Sequence, residues 1–191
     1  MSGWPELLAV ALTLSGGYTG LRSPEIETVY GKPGVPQIWV QVAVRPLPVV
    51  GVGLQGSFSW RKGNALLKGS GEPSEDLSRL TMSTVGLRLE GRLELQAHQP
   101  VIPYVIAGPL WTFYRESAGE VIHGVKTGAQ IGIGMSILLT PETTYSIAPR
   151  PRMEGVYFTV EGGHRWARWS SGEGLDLGGW HVHGGVEVAF R

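Results

Sequence analysis

The sequence predicts an all-β fold: a closed, antiparallel, up-and-down transmembrane β-barrel of about eight strands. Three observations carry that prediction. Apolar and polar residues alternate with period two, in segments of about ten residues. Short Pro turns and longer polar connections separate the segments in turn. One face of each segment is mostly Leu, Val and Ile, and the other is crowded with Gly, Ala, Ser and Thr, with Gln, Arg and Glu interspersed.

The segments follow in order. Glu6–Tyr18 sets Leu8, Val10, Leu12 and Leu14 against Ala9, Ala11, Thr13, Ser15 and Gly17. Gln37–Arg45 sets Ile38, Val40, Val42 and Val44 against Gln37, Trp39, Gln41, Ala43 and Arg45, and a Pro46-Leu47-Pro48 turn follows. Val49–Arg61 opposes Val52, Leu54, Phe58 and Trp60 to Gly53, Gln55, Ser57, Ser59 and Arg61. Met82–Leu95 opposes Val85, Leu87, Leu89 and Leu93 to Thr84, Arg88, Glu90, Arg92 and Glu94. Val101–Tyr114 is irregular and its facing stays open. Pro109 lacks an N–H for the ladder, so a bulge or local break is expected there. Thr127–Leu139, Glu154–Arg165 and Gly179–Arg191 alternate again, the last with His181, His183, Gly185 and Glu187 on its polar face. Long connections are expected at Gly20–Pro36, Lys62–Leu80, Glu116–Lys126 and Trp166–Gly178. Shorter ones are expected at Pro46–Pro48 and Gln96–Pro100, with Thr140–Met153 between the two classes.

Composition narrows the function. The chain of 191 residues is read as a single domain, 1–191. Its net charge is zero and it has no basic run to follow phosphates, so no nucleic-acid partner is expected. Cysteine is absent, which removes disulfides, thiol catalysis and thiolate metal sites. No run reaches the roughly 18 consecutive apolar residues of a transmembrane helix. Leu7–Leu14 is preceded by Glu6 and lacks a basic n-region and a clear cleavage site, so the chain reads as a mature domain without its signal peptide.

Residue size argues for lipid outside. A narrow lumen takes small residues, and the apolar face lacks the occasional Lys or Glu of a wetted surface. Lys32, Lys62, Lys68 and Lys126 all sit in connections or at strand ends. A charge at the bilayer midplane would cost roughly 2–4 kcal/mol. Trp60, Tyr114, Trp166 and Trp180 near the loop ends, with Tyr104 and Phe190 near the turn ends, are placed as interfacial aromatics.

On these residues the chain resembles the small outer-membrane β-barrels of Gram-negative bacteria, of the OmpA, OmpX and OmpW types. Their C-terminal assembly signal runs polar–x–Gly–x–x–apolar–x–aromatic. Here His183, Gly185, Val188 and Phe190 fit it, followed by one extra residue, Arg191. The resemblance implies an outer-membrane location and the barrel-assembly machinery as partner during biogenesis.

Arg45, Arg61, Arg88, Glu90, Arg92, Glu94, Glu161, Arg165 and Glu187 share the inward face and are expected to pair in a lumen charge network, since buried charges need partners. His181 and His183 lie two apart on a face with Glu187, but no third ligand can be assigned, so no metal and no cofactor are expected. No catalytic centre is expected either. His164-Arg165-Trp166 lacks a nearby Ser, Ser170 and Ser171 have no evident base, and His123 reads as loop polarity beside Glu116 and Glu120. Gly51-Val52-Gly53 and Gly132-Ile133-Gly134 lie inside strands, without the helix that a phosphate loop needs. Pro141, Pro149, Arg150, Pro151 and Arg152 make a rigid basic segment that could dock a partner or be a tolerated insertion.

Four functions follow as alternatives. The first is a non-enzymatic anchor or docking barrel of the cell envelope, in contact with outer-membrane lipid and, through its loops, with other envelope proteins. The second is a narrow barrel passing small or hydrophobic solutes, with a lateral opening near Pro109. The third is a lipid-modifying enzyme. The last is a soluble ligand-binding barrel, which requires Leu8, Val10, Leu12, Val40 and Val42 to face inward.

Overall fold

An extended strand leaves N–H and C=O groups open on both edges, and a sheet that is apolar on its outside has no water there to satisfy them. This chain resolves the problem by closure. The computed structural model describes residues 9–23, 26, 27, 30, 34–66, 73–95, 99–118, 120–140, 153–169 and 176–190. Its strands are β1 (Ala9–Leu21), β2 (Gly34–Leu47), β3 (Val50–Leu66), β4 (Pro73–Arg92), β5 (Val101–Ala118), β6 (Glu120–Thr140), β7 (Met153–Trp169) and β8 (Gly179–Phe190). Each pairs antiparallel with the next, and β8 returns to β1 in one closed barrel. The closing ladder runs from Val10–Phe190 to Leu21–Gly179.

The alternation has the facing that lipid demands. Leu14 and Ile133 are 62% and 69% exposed on the outside, whereas Arg88 and Glu161 are each 2% exposed inside. Leu12, Val40 and Val42 all point outward, which overturns the soluble ligand-binding alternative; Leu8 lies outside the described residues. The fold is thus an inside-out barrel, polar in its interior and apolar on its surface.

Strand β5 now has a definite facing. Ile102, Tyr104, Ile106, Leu110 and Thr112 are buried in the interior, and Val101, Val105, Trp111 and Phe113 face out. Both faces are apolar, so period-two reading has no contrast to work on. This corrects two of the expected interfacial aromatics. Tyr104 is buried beneath Arg88 and Arg92, whose guanidinium groups lie 5.4 and 5.9 Å from its ring centre. Tyr114 shares that inward face and packs on a buried apolar cluster. Trp60, Trp166 and Trp180 do face outward, and Phe190 is half-buried at the β1 seam.

The strands also outrun their predicted ends. β4 has 20 residues and β6 has 21, against the roughly 9–11 that cross a bilayer. Most of the expected long connections at Lys62–Leu80 and Glu116–Lys126 is therefore strand, drawn into the β3–β4 and β5–β6 hairpins. Past the lipid belt both faces meet water, as at Val121, Ile122 and His123, which are all exposed. Strand pairing persists there without the apolar alternation that marks it in sequence. β4, in contrast, stops at Arg92, short of the expected Leu95. Beyond it the Gln99 side chain bonds the Leu95 N–H at 3.0 Å and the Leu93 and Val101 carbonyls at 3.0 and 2.6 Å, which closes that turn.

At the loop end the interior is capped by apolar packing. Leu21, Ile26, Tyr30, Val35, Leu80, Met82, Leu110, Ala167 and Leu177 form one buried cluster, with Ile26 and Tyr30 supplied by helical residues between β1 and β2. The Tyr30 hydroxyl donates to Glu116 at 2.9 Å and shares a second bond with Ser78 at 2.9 Å. Burial pushes that hydroxyl's pKa above the ordinary tyrosine range.

Candidate functional site

Among the described residues, charged side chains converge in the polar interior, and side chains bridge it from wall to wall. Period two brings every second residue of each strand inside, and register then decides which of them meet. Arg45 on β2 forms a forked pair with Glu187 on β8, at 2.7 and 3.0 Å, and reaches Glu90 on β4 at 3.2 Å. Glu90 also takes Arg92 at 2.8 Å and Arg88 at 3.1 Å. Arg88 crosses to Glu161 on β7 at 2.7 Å. Arg92 lies 3.7 Å from Glu94 and 3.8 Å from Glu187. Gln55 on β3 donates to Gln130 on β6 at 2.7 Å, again between strands that are not neighbours. Such fork and charge-assisted bonds are the strong class, and in a low-dielectric interior each holds its partner against desolvation.

Two of the expected network members take different partners. Arg61 bonds the carbonyls of Gly34 and, at 3.0 Å, Tyr30, so it ties down the β1–β2 connection. Arg165 donates to Gln37 Oε1 at 3.0 Å and stacks over Trp39 at 4.6 Å. Both lie toward the loop end, on the far side of Glu161 from Glu90 and Glu187.

The assembly-signal residues sit at the closing seam. His183 and Gly185 face inward, and Val188 and Phe190 face the other way, half-buried. A Cβ at Gly185 would lie 2.1 Å from the Leu14 carbonyl oxygen, so only glycine allows β8 to approach β1 this closely. Pro141, Pro149, Arg150, Pro151 and Arg152 lie outside the described residues.

Sequence reasoning missed the third partner of the histidines. Glu161 stands directly across from His183 in the β7–β8 ladder, with Gly163 across from His181. Glu161 Oε1 lies 3.2 Å from His183 Nε2 and 3.8 Å from His181 Nε2. His183 Nδ1 bonds Ser15 Oγ at 3.0 Å, and Trp39 stacks on the His183 ring at 4.6 Å. Finding this group requires the register between β7 and β8, which no single-strand pattern contains. Ser15, His183 and Glu161 form a hydroxyl–imidazole–carboxylate chain in outline. Ser15 is 4% exposed, however, and the β8 backbone at Gly185 presses against it, so no acyl substrate fits beside the hydroxyl.

At Pro109 the β4–β5 ladder loses the pairs Leu87–Pro109 and Arg88–Gly108 and resumes in the same register. The expected local break is present there without a bulge. A Cβ on Gly108 would sit 2.1 Å from the Leu87 carbonyl oxygen, so the strands stay in contact across the gap.

On the outer surface His164 is buried under Trp166 and Trp180, with ring centres 4.6 and 5.0 Å away. In the sequence His164 stands out only as a residue without a serine nearby. Its place beneath two girdle tryptophans comes from cross-strand pairing with Trp180.

No known protein family and no curated protein matches this sequence. Solved structures do match in fold. The outer membrane protein OprG from Pseudomonas aeruginosa aligns with a TM-score of 0.62 at 11% identity, covering 96% of this chain and 95% of that one. The N-terminal β-barrel domain of Pseudomonas aeruginosa OprF aligns with a TM-score of 0.56 at 14% identity, over 96% and 98% of the two chains. Neisserial surface protein A aligns with a TM-score of 0.53 at 10% identity, over 96% and 94%. The fold is that of the small outer-membrane barrels.

Proposed function

We propose that this chain is an integral, non-enzymatic barrel of the bacterial outer membrane that anchors or docks a component of the cell envelope and does not conduct. One observation carries this reading: the interior is spanned by paired charges. Arg45–Glu187, Arg45–Glu90, Arg88–Glu90 and Arg88–Glu161 link β2, β4, β7 and β8 across the lumen. Opening a path through them means separating charges that are buried together, which is costly. The outward apolar belt supports lipid as the surrounding medium, and the C-terminal pattern supports delivery by the barrel-assembly machinery. Contacts with other envelope proteins then fall to the protruding β3–β4 and β5–β6 hairpins and to the segment 141–152.

The test is ion conductance of detergent-folded protein in a planar bilayer, with folding checked by the heat-modifiable gel shift. Silence from demonstrably inserted protein is expected. Discrete current steps would overturn the reading in favour of a transport barrel. A second reading rests on the ladder gap at Pro109: lateral passage of a small hydrophobic solute. It requires β4 and β5 to part at a point where Leu87 and Gly108 are in close contact. A disulfide engineered across that gap would abolish such passage and leave an anchor's binding unchanged.

A further inference from the structure

We infer that Glu161, His181 and His183 form a divalent transition-metal site inside the barrel, and that zinc is the ion it suits. This goes beyond the anchoring reading and does not depend on it.

The geometry comes first. Three ligand atoms, Glu161 Oε1, His181 Nε2 and His183 Nε2, lie within 4.8 Å of one another on buried side chains. The two separations involving Oε1 are 3.2 and 3.8 Å. Zinc bonds to nitrogen and oxygen of about 2.0–2.2 Å place tetrahedral ligand atoms roughly 3.3–3.6 Å apart. Two edges of the group are therefore already close to those of a zinc tetrahedron, and the third is no longer than 4.8 Å. The fourth corner is left for water or another small ligand. Two imidazoles and a carboxylate are a borderline donor set that favours zinc and its first-row neighbours over calcium or magnesium.

The surroundings hold these atoms in that role. Arg88 Nη1 binds the other carboxylate oxygen, Oε2, at 2.7 Å, which aims Oε1 at the imidazoles. Ser15 Oγ bonds His183 Nδ1 at 3.0 Å. The 3.2 Å contact of Nε2 with Oε1 is a hydrogen bond when Nε2 carries the proton; when Nδ1 carries it and donates to Ser15, the Nε2 lone pair is open to a metal. This second-sphere bond is the one that metal-bound histidines make. Trp39 stacks on His183 at 4.6 Å and lies 5.5 Å from His181, fixing both rings from one side. Gly163 leaves room for the His181 ring, because a Cβ there would lie 2.9 Å from His181 Cε1.

A second observation is independent of that spacing. The His181 side chain is fully buried, and neither of its ring nitrogens has a hydrogen-bond partner in the structure. A buried imidazole donates at one nitrogen and accepts at the other, and leaving both unmet is costly. An ion held with Glu161 and His183 satisfies Nε2. Hydrogen bonding within the cluster does not, at 3.8 Å.

The experiment uses the untagged full chain refolded in detergent with zinc or cobalt(II) present throughout, so that entry to the interior is not limiting, followed by removal of unbound ion. We expect one equivalent of zinc per folded barrel, and an intense visible absorption from four-coordinate cobalt(II). His181→Ala removes a ligand that makes no hydrogen bond in the protein. It should fold, as judged by the gel shift, and bind at least about tenfold more weakly. His123→Ala, on the exposed β5–β6 hairpin, should bind as the parent does. Folded parent protein that retains no zinc, or that gives only the weak spectrum of six-coordinate cobalt, overturns the inference. Unchanged binding by folded His181→Ala overturns it as well. The cobalt spectrum of the parent decides the matter should the variant not fold.

Discussion

Glu90 accepts from three guanidinium groups at once: Arg92 at 2.8 Å, Arg88 at 3.1 Å and Arg45 at 3.2 Å. Its carboxylate is 3% exposed, so little solvent shares the load. Glu90→Gln keeps the volume and removes the charge. Arg45 then keeps Glu187 and Arg88 keeps Glu161, but Arg92 is left with contacts of 3.7 and 3.8 Å. Breaking a buried pair costs about 3–5 kcal/mol, and the remaining partners place this variant near about 3 kcal/mol. Urea unfolding in phospholipid vesicles reads the difference. Glu94→Gln is the comparison, because its side chain is 24% exposed and its contact with Arg92 is long, at 3.7 Å, within the about 1 kcal/mol of a wetted pair. Equal midpoints for the two variants would mean that the convergence on Glu90 contributes nothing.

At the scale of a strand, depth in the bilayer sets the cost of a charge on the outer face. Leu87 lies mid-belt on β4, and Leu93 lies just past its end, both facing out. Leu87→Arg is expected to lose about 2–4 kcal/mol in vesicles, and Leu93→Arg only about 0–1 kcal/mol, since arginine near the interface reaches water. Equal losses, or a smaller one at Leu87, would contradict the assigned depth. The same strand explains what could be read without coordinates. From Val85 to Leu89 a large apolar residue alternates with Gly or a charge, so facing is legible residue by residue. From Ser78 to Leu80 the contrast reverses, with apolar Leu80 buried in the cap and Arg79 exposed outside, so the strand is hidden. β5 hides its facing for another reason, because Ile102, Tyr104 and Ile106 pack inside while Val101 and Val105 face out. The site divides along the same line. That Arg88, Glu90, Glu161 and His183 share the interior follows from alternation alone. That Glu161 meets His183, and that Arg88 crosses to Glu161, depends on register and barrel diameter, which come from pairing partners far away in sequence.

Across the whole molecule the interior is crossed by layers in series. A shallow recess at the turn end, lined by Arg45, Arg92, Glu94 and Tyr157, leads to the Arg–Glu chain. Next come the Glu161–His183 group and the Gln55–Gln130 bridge, and then the apolar cap around Ile26, Tyr30 and Leu177. Layers in series make removal of any single one insufficient to open a path. Tyr30→Ala combined with Leu177→Ala removes the filling of the cap and leaves every Arg–Glu pair in place. The double variant is expected to insert and stay silent in a planar bilayer, because an ion must still pass side chains bonded at 2.7–3.2 Å across the lumen. Current steps from this variant, with none from the parent, would put the seal in the cap. The charged chain would then enclose a continuous water path, and its arginines and glutamates would become the lining that sets ion preference.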